Sequence, residues 1–214
     1  MARRKPKRIA ESTQSWSVLR HPFEPQRIFS EDRVEAIHLA ALEVLETLRI
    51  KILLREAVEV FSQNGAKVVE DMVYLDADMV EAAIASAPVS FVLRAPNPAR
   101  NVPVAPGQLI FTPGGGCPNV TDRIRGRRPG DLSTYTDAVK LMQSFNVIHK
   151  LSPAPEPQDI PVHLRHYAMM QTQLGYGDKA ITVYGRGRQQ VTECFELMQT
   201  ALGLSDAEFA SAPY

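Results

Sequence analysis

Three short stretches of the chain carry residue types suited to holding a small ligand. The first is Thr112-Pro113-Gly114-Gly115-Gly116-Cys117-Pro118-Asn119-Val120-Thr121-Asp122. Its successive glycines let the backbone come close to a ligand and present amide donors that bulkier residues would cover. It has neither the Gly-Lys-Ser/Thr ending of a nucleotide loop nor the Gly-x-Gly-x-x-Gly of a dinucleotide site. Gly114, Gly115, Gly116 and Asn119 are candidate substrate contacts, and a purely structural turn is the equal alternative. The second stretch is Val147-Ile148-His149 with the loop Pro153-Ala154-Pro155-Glu156-Pro157-Gln158-Asp159-Ile160-Pro161. His149 is suited to acid or base work, or to donating to a carboxylate. The prolines restrict the loop, so Glu156 and Asp159 can be held in place at little further entropy cost. They either face a ligand or cap the next helix, and Asp159 just ahead of Pro161 suits capping. The third is Tyr184-Gly185-Arg186-Gly187-Arg188. Tyr184 can offer a ring face to a quaternary ammonium, and the arginines can meet an anion; the alternatives are a packed tyrosine and solvated guanidiniums. These patterns single out no catalytic nucleophile.

Parallel α/β folds place such groups at the carboxyl ends of strands and in the loops that follow. The sequence from Gln108 onward reads that way. Strands are expected at Gln108-Leu109-Ile110-Phe111, Asn146-Val147-Ile148-His149 and Ala180-Ile181-Thr182-Val183-Tyr184. Helices are expected over 132–145, 162–174 and 189–202. Repeated βα units with right-handed crossovers imply a parallel sheet with helices outside it. A complete barrel takes about 250 residues, so this region has room for three to four of eight βα units.

Upstream, Ser30-Glu31-Asp32 is a helix start, and Val34, Ile37, Ala41 and Leu45 recur at helical spacing, which predicts one buried face. A second helix through Arg55–Phe61 should stop at Asn64-Gly65. Residues 66–69 and 72–75 read as a hairpin, Asp76 as the cap of a third helix ending near Ala87-Pro88, and residues 90–94 as a strand. Pro96, Pro98, Pro103 and Pro106 mark a long extended connection. The organisation expected is a disordered basic leader over 1–28, an N-terminal helical region with short strands over 29–107, and the first part of a (β/α)8 barrel over 108–214.

Composition narrows the partners. Lys plus Arg and Asp plus Glu both number 24 in 214 residues, so the whole chain gives no reason to expect nucleic acid or an acidic membrane as its main partner. The basic opening Met1-Ala2-Arg3-Arg4-Lys5-Pro6-Lys7-Arg8 lacks the apolar run of a secretory signal. No run approaches the roughly 20 apolar residues of a membrane span. A cytoplasmic protein is expected. Cys117 and Cys194 show no metal spacing, and Cys194, within Val191-Thr192-Glu193-Cys194-Phe195-Glu196, reads as a small buried hydrophobe. His38 has no Cys or His at ligand spacing, so no metal site is expected.

Arg33-Val34-Glu35-Ala36-Ile37-His38, Leu42-Glu43-Val44-Leu45-Glu46-Thr47-Leu48, Asn64-Gly65-Ala66-Lys67-Val68, Ala87-Pro88, Asn97-Pro98, Gly114-Gly115-Gly116-Cys117-Pro118-Asn119, Arg125-Gly126-Arg127-Arg128-Pro129-Gly130 and Glu156-Pro157-Gln158-Asp159 follow one another in an order that resembles the trimethylamine methyltransferase family. The likeness runs from about Phe29 to the end. It departs at Arg49, where the family commonly has glycine after the first long helix. The resemblance implies an incomplete (β/α)8 TIM-type barrel and methyl transfer from a tertiary or quaternary amine, such as trimethylamine or glycine betaine, to the cobalt of a corrinoid protein. It implies a methylcobamide carried by that partner, with no cofactor bound directly by this chain. The tertiary-amine branch uses pyrrolysine at a position beyond Tyr214, so members lacking it are expected to prefer quaternary amines. Two alternatives stay open: an inactive truncated fragment, whose open edges would favour self-association into homo-oligomers, and a corrinoid-protein binding module without catalysis.

Overall fold

The computed structural model describes residues 15–24, 26–183 and 185–211. The chain divides into two compact units, residues 23–89 and a larger one made of the residues before them together with those from Ser90 onward. It enters the larger unit through a short strand, β1 (Leu19–Arg20), leaves it to build residues 23–89, and returns at Ser90. Residues 15–22, inside the stretch read as a leader, are therefore structured; residues 1–14 lie outside the described residues.

The smaller unit follows its local signals closely. Ser30 stands at the N-cap of α1 (Glu31–Thr47), with Glu31 and Asp32 in the first turn where acids complement the positive helix end. The buried face foreseen for α1 is only partly realised. Leu42 is buried, while Val34 and Ile37 are 55% and 60% exposed, because α3 (Ala77–Ser86) and β4 (Met72–Tyr74) cover only part of the helix. The second helix, α2 (Arg55–Gln63), ends at Asn64, and Gly65 takes φ +95°, the left-handed exit that glycine permits. β3 (Lys67–Val69) and β4 form the expected hairpin, with Glu70 at φ +59° in the turn. An unforeseen strand, β2 (Ile50–Lys51), joins the other edge of β4 and places Val73 at the fully buried centre. Asp76 caps α3 by accepting from the Met79 amide at 2.8 Å.

In the larger unit the proline-rich stretch is not an extended connection. β5 (Phe91–Leu93) and β6 (Val102–Val104) pair antiparallel around a single helical turn at Pro98–Arg100, and a two-stranded ribbon tolerates Pro103 because each strand has a free edge. β7 (Gln108–Leu109) pairs antiparallel with β1. β8 (Asn119–Asp122) and β9 (Gly126–Pro129) make a hairpin directly after the glycine loop. Four helices follow: α4 (Leu132–Ser144), α5 (Arg165–Tyr176), α6 (Arg188–Leu202) and the short α7 (Asp206–Ala210), whose Ser205–Glu208 capping box went unread in the sequence. Tyr135, Val139, Met142, Leu151 and Met169 form one core cluster, and Met170, Ile181, Cys194 and Met198 another. Cys194 is fully buried, as its apolar surroundings suggested.

The architecture is mixed α/β, and no closed barrel forms among the described residues. Among the described residues, parallel pairing is confined to a bridge between Lys150 and Ala180. The physical reason is in the sequence: beyond Ser152 every second residue is proline, at 153, 155 and 157, and proline has no amide with which to extend a ladder. Lys179 lies beside that bridge, fully buried, and its Nζ donates to the Met142 and Phe145 carbonyls at the end of α4, both at 2.7 Å. Burial pushes its ammonium down to about 8, with Arg100 adding to the effect and Asp178 opposing it.

Two outcomes are expected. Arg49 holds φ +62° between α1 and β2, a conformation that strains any side chain bearing Cβ, while its exposed contact to the Tyr74 hydroxyl at 2.7 Å returns little. Arg49→Gly should therefore raise stability by about 0.5–1 kcal/mol in denaturant titration; a loss of stability would contradict the strain. For Lys179, the unfolded chain holds the proton more tightly than the folded one, so the penalty is fully present below about pH 8 and lifts as pH rises towards the ordinary lysine value. Wild type should gain on Lys179→Met by up to about 2 kcal/mol between about pH 8 and about pH 10. A pH-independent difference between the two would rule this out.

Candidate functional site

The glycine loop and the proline loop are joined by backbone hydrogen bonds, all within the larger unit. The Ser152 hydroxyl donates to the Gly114 carbonyl, the Glu156 amide to the Cys117 carbonyl at 2.8 Å, and the Gln158 amide to the Gly130 carbonyl at 2.8 Å. The Gly130 amide in turn donates to Pro118 at 2.9 Å and closes the base of the β8–β9 hairpin. Glycine is required at two of these approaches. A Cβ on Gly115 would meet the Pro153 ring at 2.9 Å, and one on Gly130 would meet Pro155 at 2.9 Å and the Glu156 carbonyl at 3.0 Å. Gly114, by contrast, faces open space, and Gly116 takes φ +75°.

Glu156 is the buried ion of the site, only 4% exposed. One carboxylate oxygen accepts from Arg186 at 2.9 Å and the other lies 3.5 Å from Arg165. Arg165 is nearly buried and anchored by donation to the Ile160 carbonyl at 2.8 Å, whereas Arg186 is half exposed. A buried carboxylate is tolerable only when paired in this way. Two guanidiniums thus face this one carboxylate. Arg186 was singled out in the sequence as an anion contact; Arg165, Ser152 and Gly130 were not, since only their partners across the fold give them a role.

The remaining sequence candidates are placed as follows. Asn119 is half-buried at the start of β8, next to the loop. Tyr184 lies outside the described residues. Asp159 does not cap the helix that follows it: it accepts from the Leu132 amide at 3.0 Å, so it caps α4 beside Asp131, whose carboxylate accepts from the Thr134 amide at 2.7 Å. Hydrogen bonds from the Thr134 hydroxyl and amide hold the Asp131 carboxyl below its usual range. His149, expected at a strand mouth, sits three positions upstream of Ser152, beside Phe111 at the entry to the glycine loop. Its Nδ1 accepts from the Phe111 amide at 2.9 Å and its Nε2 donates to the Ser17 carbonyl at 3.0 Å. Both nitrogens of the fully buried ring thus serve backbone groups, and the ring lies edge-on to Trp16 at 5.7 Å. The ring is a bolt between segments, with no nitrogen left for a ligand.

The hairpin beside the loop carries its own charge network. Asp122 accepts from the Arg125 amide at 2.7 Å and the Ile124 amide at 2.9 Å, and meets the Arg125 side chain at 2.7 Å. These contacts, the Arg125 amide foremost, lower the Asp122 carboxyl from its ordinary value. Arg128 is held between Asp122 at 3.6 Å and Asp131 at 3.3 Å.

In this mixed α/β unit the glycine and proline loops are clamped together at one end of short strand segments, and they form the candidate site. The family model described as trimethylamine methyltransferase (MTTB) matches residues 1–214, and the chain belongs to that family. It is 32% identical over 180 residues to a glycine betaine methyltransferase of Desulfitobacterium hafniense (strain Y51), covering 84% of this chain and 38% of that protein. It is also 32% identical over 141 residues to the trimethylamine methyltransferase MttB of Desulfitobacterium hafniense (strain DSM 10664 / DCB-2), covering 62% of this chain and 27% of that one. The chain thus spans well under half the length of either relative. No group of three or more His, Cys, Asp or Glu residues suited to a metal occurs among the described residues, and no described helix is long and apolar enough to cross a membrane.

The clamp makes a contrast testable in one pair of variants. Gly130→Ala should cost about 1–3 kcal/mol, because backbone as well as a ring must give way, while Gly114→Ala should stay within about 0.5 kcal/mol. Equal melting temperatures for the two would show that the loops are not clamped.

Proposed function

We propose that this chain supplies part of the substrate mouth of an enzyme that moves a methyl group from a quaternary amine of the glycine betaine type to the cobalt of a corrinoid carried by a separate protein. The methyl carbon leaves nitrogen, whose bonding pair stays behind as the lone pair of a tertiary amine, and the reduced acceptor takes the methyl. Such a reaction needs no protein nucleophile. The chain's part is to bind, orient and exclude water. Gly114, Gly115, Gly116 and Asn119 border the mouth, and Tyr184 would offer its ring to the ammonium. The segments leading into the glycine loop, into Ser152 and through Ala180–Val183 are read as the first strands of an incomplete (β/α)8 barrel, a reading supported by the parallel Lys150–Ala180 bridge and the alternation with α4, α5 and α6.

The observation that carries the substrate class is the charge around Glu156. Its carboxylate is matched by Arg165 and Arg186, so it does not serve as the counter-ion of a methylammonium. The half-exposed guanidinium of Arg186 suits the carboxylate of a betaine, and trimethylamine has no such group. Glu156 then acts as the positioning residue for Arg186.

Methyl transfer to free cob(I)alamin, measured with glycine betaine and with trimethylamine, tests this. Betaine should be the better donor, and Arg186→Gln should raise its KM about 10–100-fold with little change in kcat, the worth of one charged hydrogen bond. Faster turnover of trimethylamine, or a KM indifferent to Arg186, sinks the betaine reading. Betaine binding without any transfer would favour the inactive-fragment reading.

A further inference from the structure

The β8–β9 hairpin is an exposed, charged feature of the larger unit, and the methyl-transfer reading leaves it without a task. Its ten residues, Asp122-Arg123-Ile124-Arg125-Gly126-Arg127-Arg128-Pro129-Gly130-Asp131, hold four arginines and two aspartates in a chain of zero net charge. Both aspartates are engaged by arginines of the hairpin, Asp122 beside the turn by Arg125 and Arg128, and Asp131 just past the base by Arg128. Arg123 and Arg127 are exposed and form no ion pair among the described residues. Between them Ile124, at 94% exposure, stands at the tip. A large aliphatic side chain held in water by a turn that is itself fixed by two amide bonds to Asp122 gains nothing for the fold. Apart from each other, β8 and β9 pack against no other helix or strand to a comparable extent.

The position of the hairpin selects its partner. It springs from the glycine loop at Asn119 and returns at Gly130, whose amide and carbonyl are tied to Pro118 and Gln158. The arginines of the hairpin are thus carried on a segment that adjoins the loop to which an acceptor would be delivered. We infer that the Arg123–Arg127 hairpin is a docking arm for an acidic, partly apolar face on the corrinoid-carrying protein, with Ile124 as the apolar contact and the flanking guanidiniums as the charged rim. This rests on the methyl-transfer reading of the adjoining site. An apolar centre ringed by charge is how transient protein partners are recognised and steered. Nucleic acid would call for a longer basic track than one hairpin on a neutral chain offers.

The test is direct binding of the chain to a purified corrinoid-carrying protein, with a short single-stranded RNA and phosphatidylglycerol vesicles as competing probes. The carrier should bind best. Raising salt from about 50 mM to about 300 mM should weaken that binding several-fold, Arg123→Glu with Arg127→Glu at least about tenfold, and Ile124→Ser about threefold or more. Both variants should melt with wild type, since the substituted side chains are exposed. Carrier binding that is absent, or unchanged in the charge-reversed protein, overturns the proposal, as does tighter binding of RNA or vesicles. The charge-reversed protein should also methylate free cob(I)alamin at the wild-type rate. Failure of wild type to do so would count against the methyl-transfer reading alone, because binding to the carrier is read separately.

Discussion

The organisation of the site depends on a shortage of backbone donors. In Ser152-Pro153-Ala154-Pro155-Glu156-Pro157-Gln158 alternate residues have no amide, so this segment cannot run on as a strand beside Ala180–Val183. The amides at Glu156 and Gln158 cross to the facing segments, to Cys117 of the glycine loop and to Gly130 at the base of the hairpin that follows it. The same prolines that stop the sheet thus staple two loops together. The close contacts of Gly115 and Gly130 with Pro153 and Pro155 follow from how tightly the staple draws.

That staple also decides the electrostatics. Carrying Glu156 inward requires its charge to be answered, and Arg165 and Arg186 come from different places, one from the first turn of α5 and one from the loop before α6. A carboxylate that the sequence offered either to a ligand or to a helix cap becomes the link between them. The result is one carboxylate shared by two guanidiniums, one nearly buried and the other half exposed.

What the sequence made legible was mostly local. Caps and stops such as Ser30, Asp76 and Asn64-Gly65 named helices α1, α3 and α2 to within a residue or two, because a cap acts over a single turn. Arg49, where the family commonly has glycine, takes the left-handed conformation at the exit of α1. Long-range partners were not legible. Asp159 had the right chemistry for a cap and the wrong helix, since Leu132 is its neighbour only through the fold. His149 looked reactive because nothing nearby in sequence shows that Phe111 and Ser17 occupy its nitrogens. β2 and α7 were too short to stand out, and the prolines around Pro103 concealed a hairpin that needs amides from one side only.

The larger unit is discontinuous, with residues 23–89 set between β1 and the rest of it. Leu19 finds its pairing partner only when Leu109 exists, and Ser17 waits for His149. During synthesis the inserted unit has all of its residues before either partner has been made, whereas the segment around Trp16 must stay unpaired throughout. Once folded, the insert replaces a long flexible loop by a compact body, which lowers the entropy lost when β1 and β7 meet. The order of assembly is therefore set by the topology: the chain completes its insert first and closes its host around the earliest residues last.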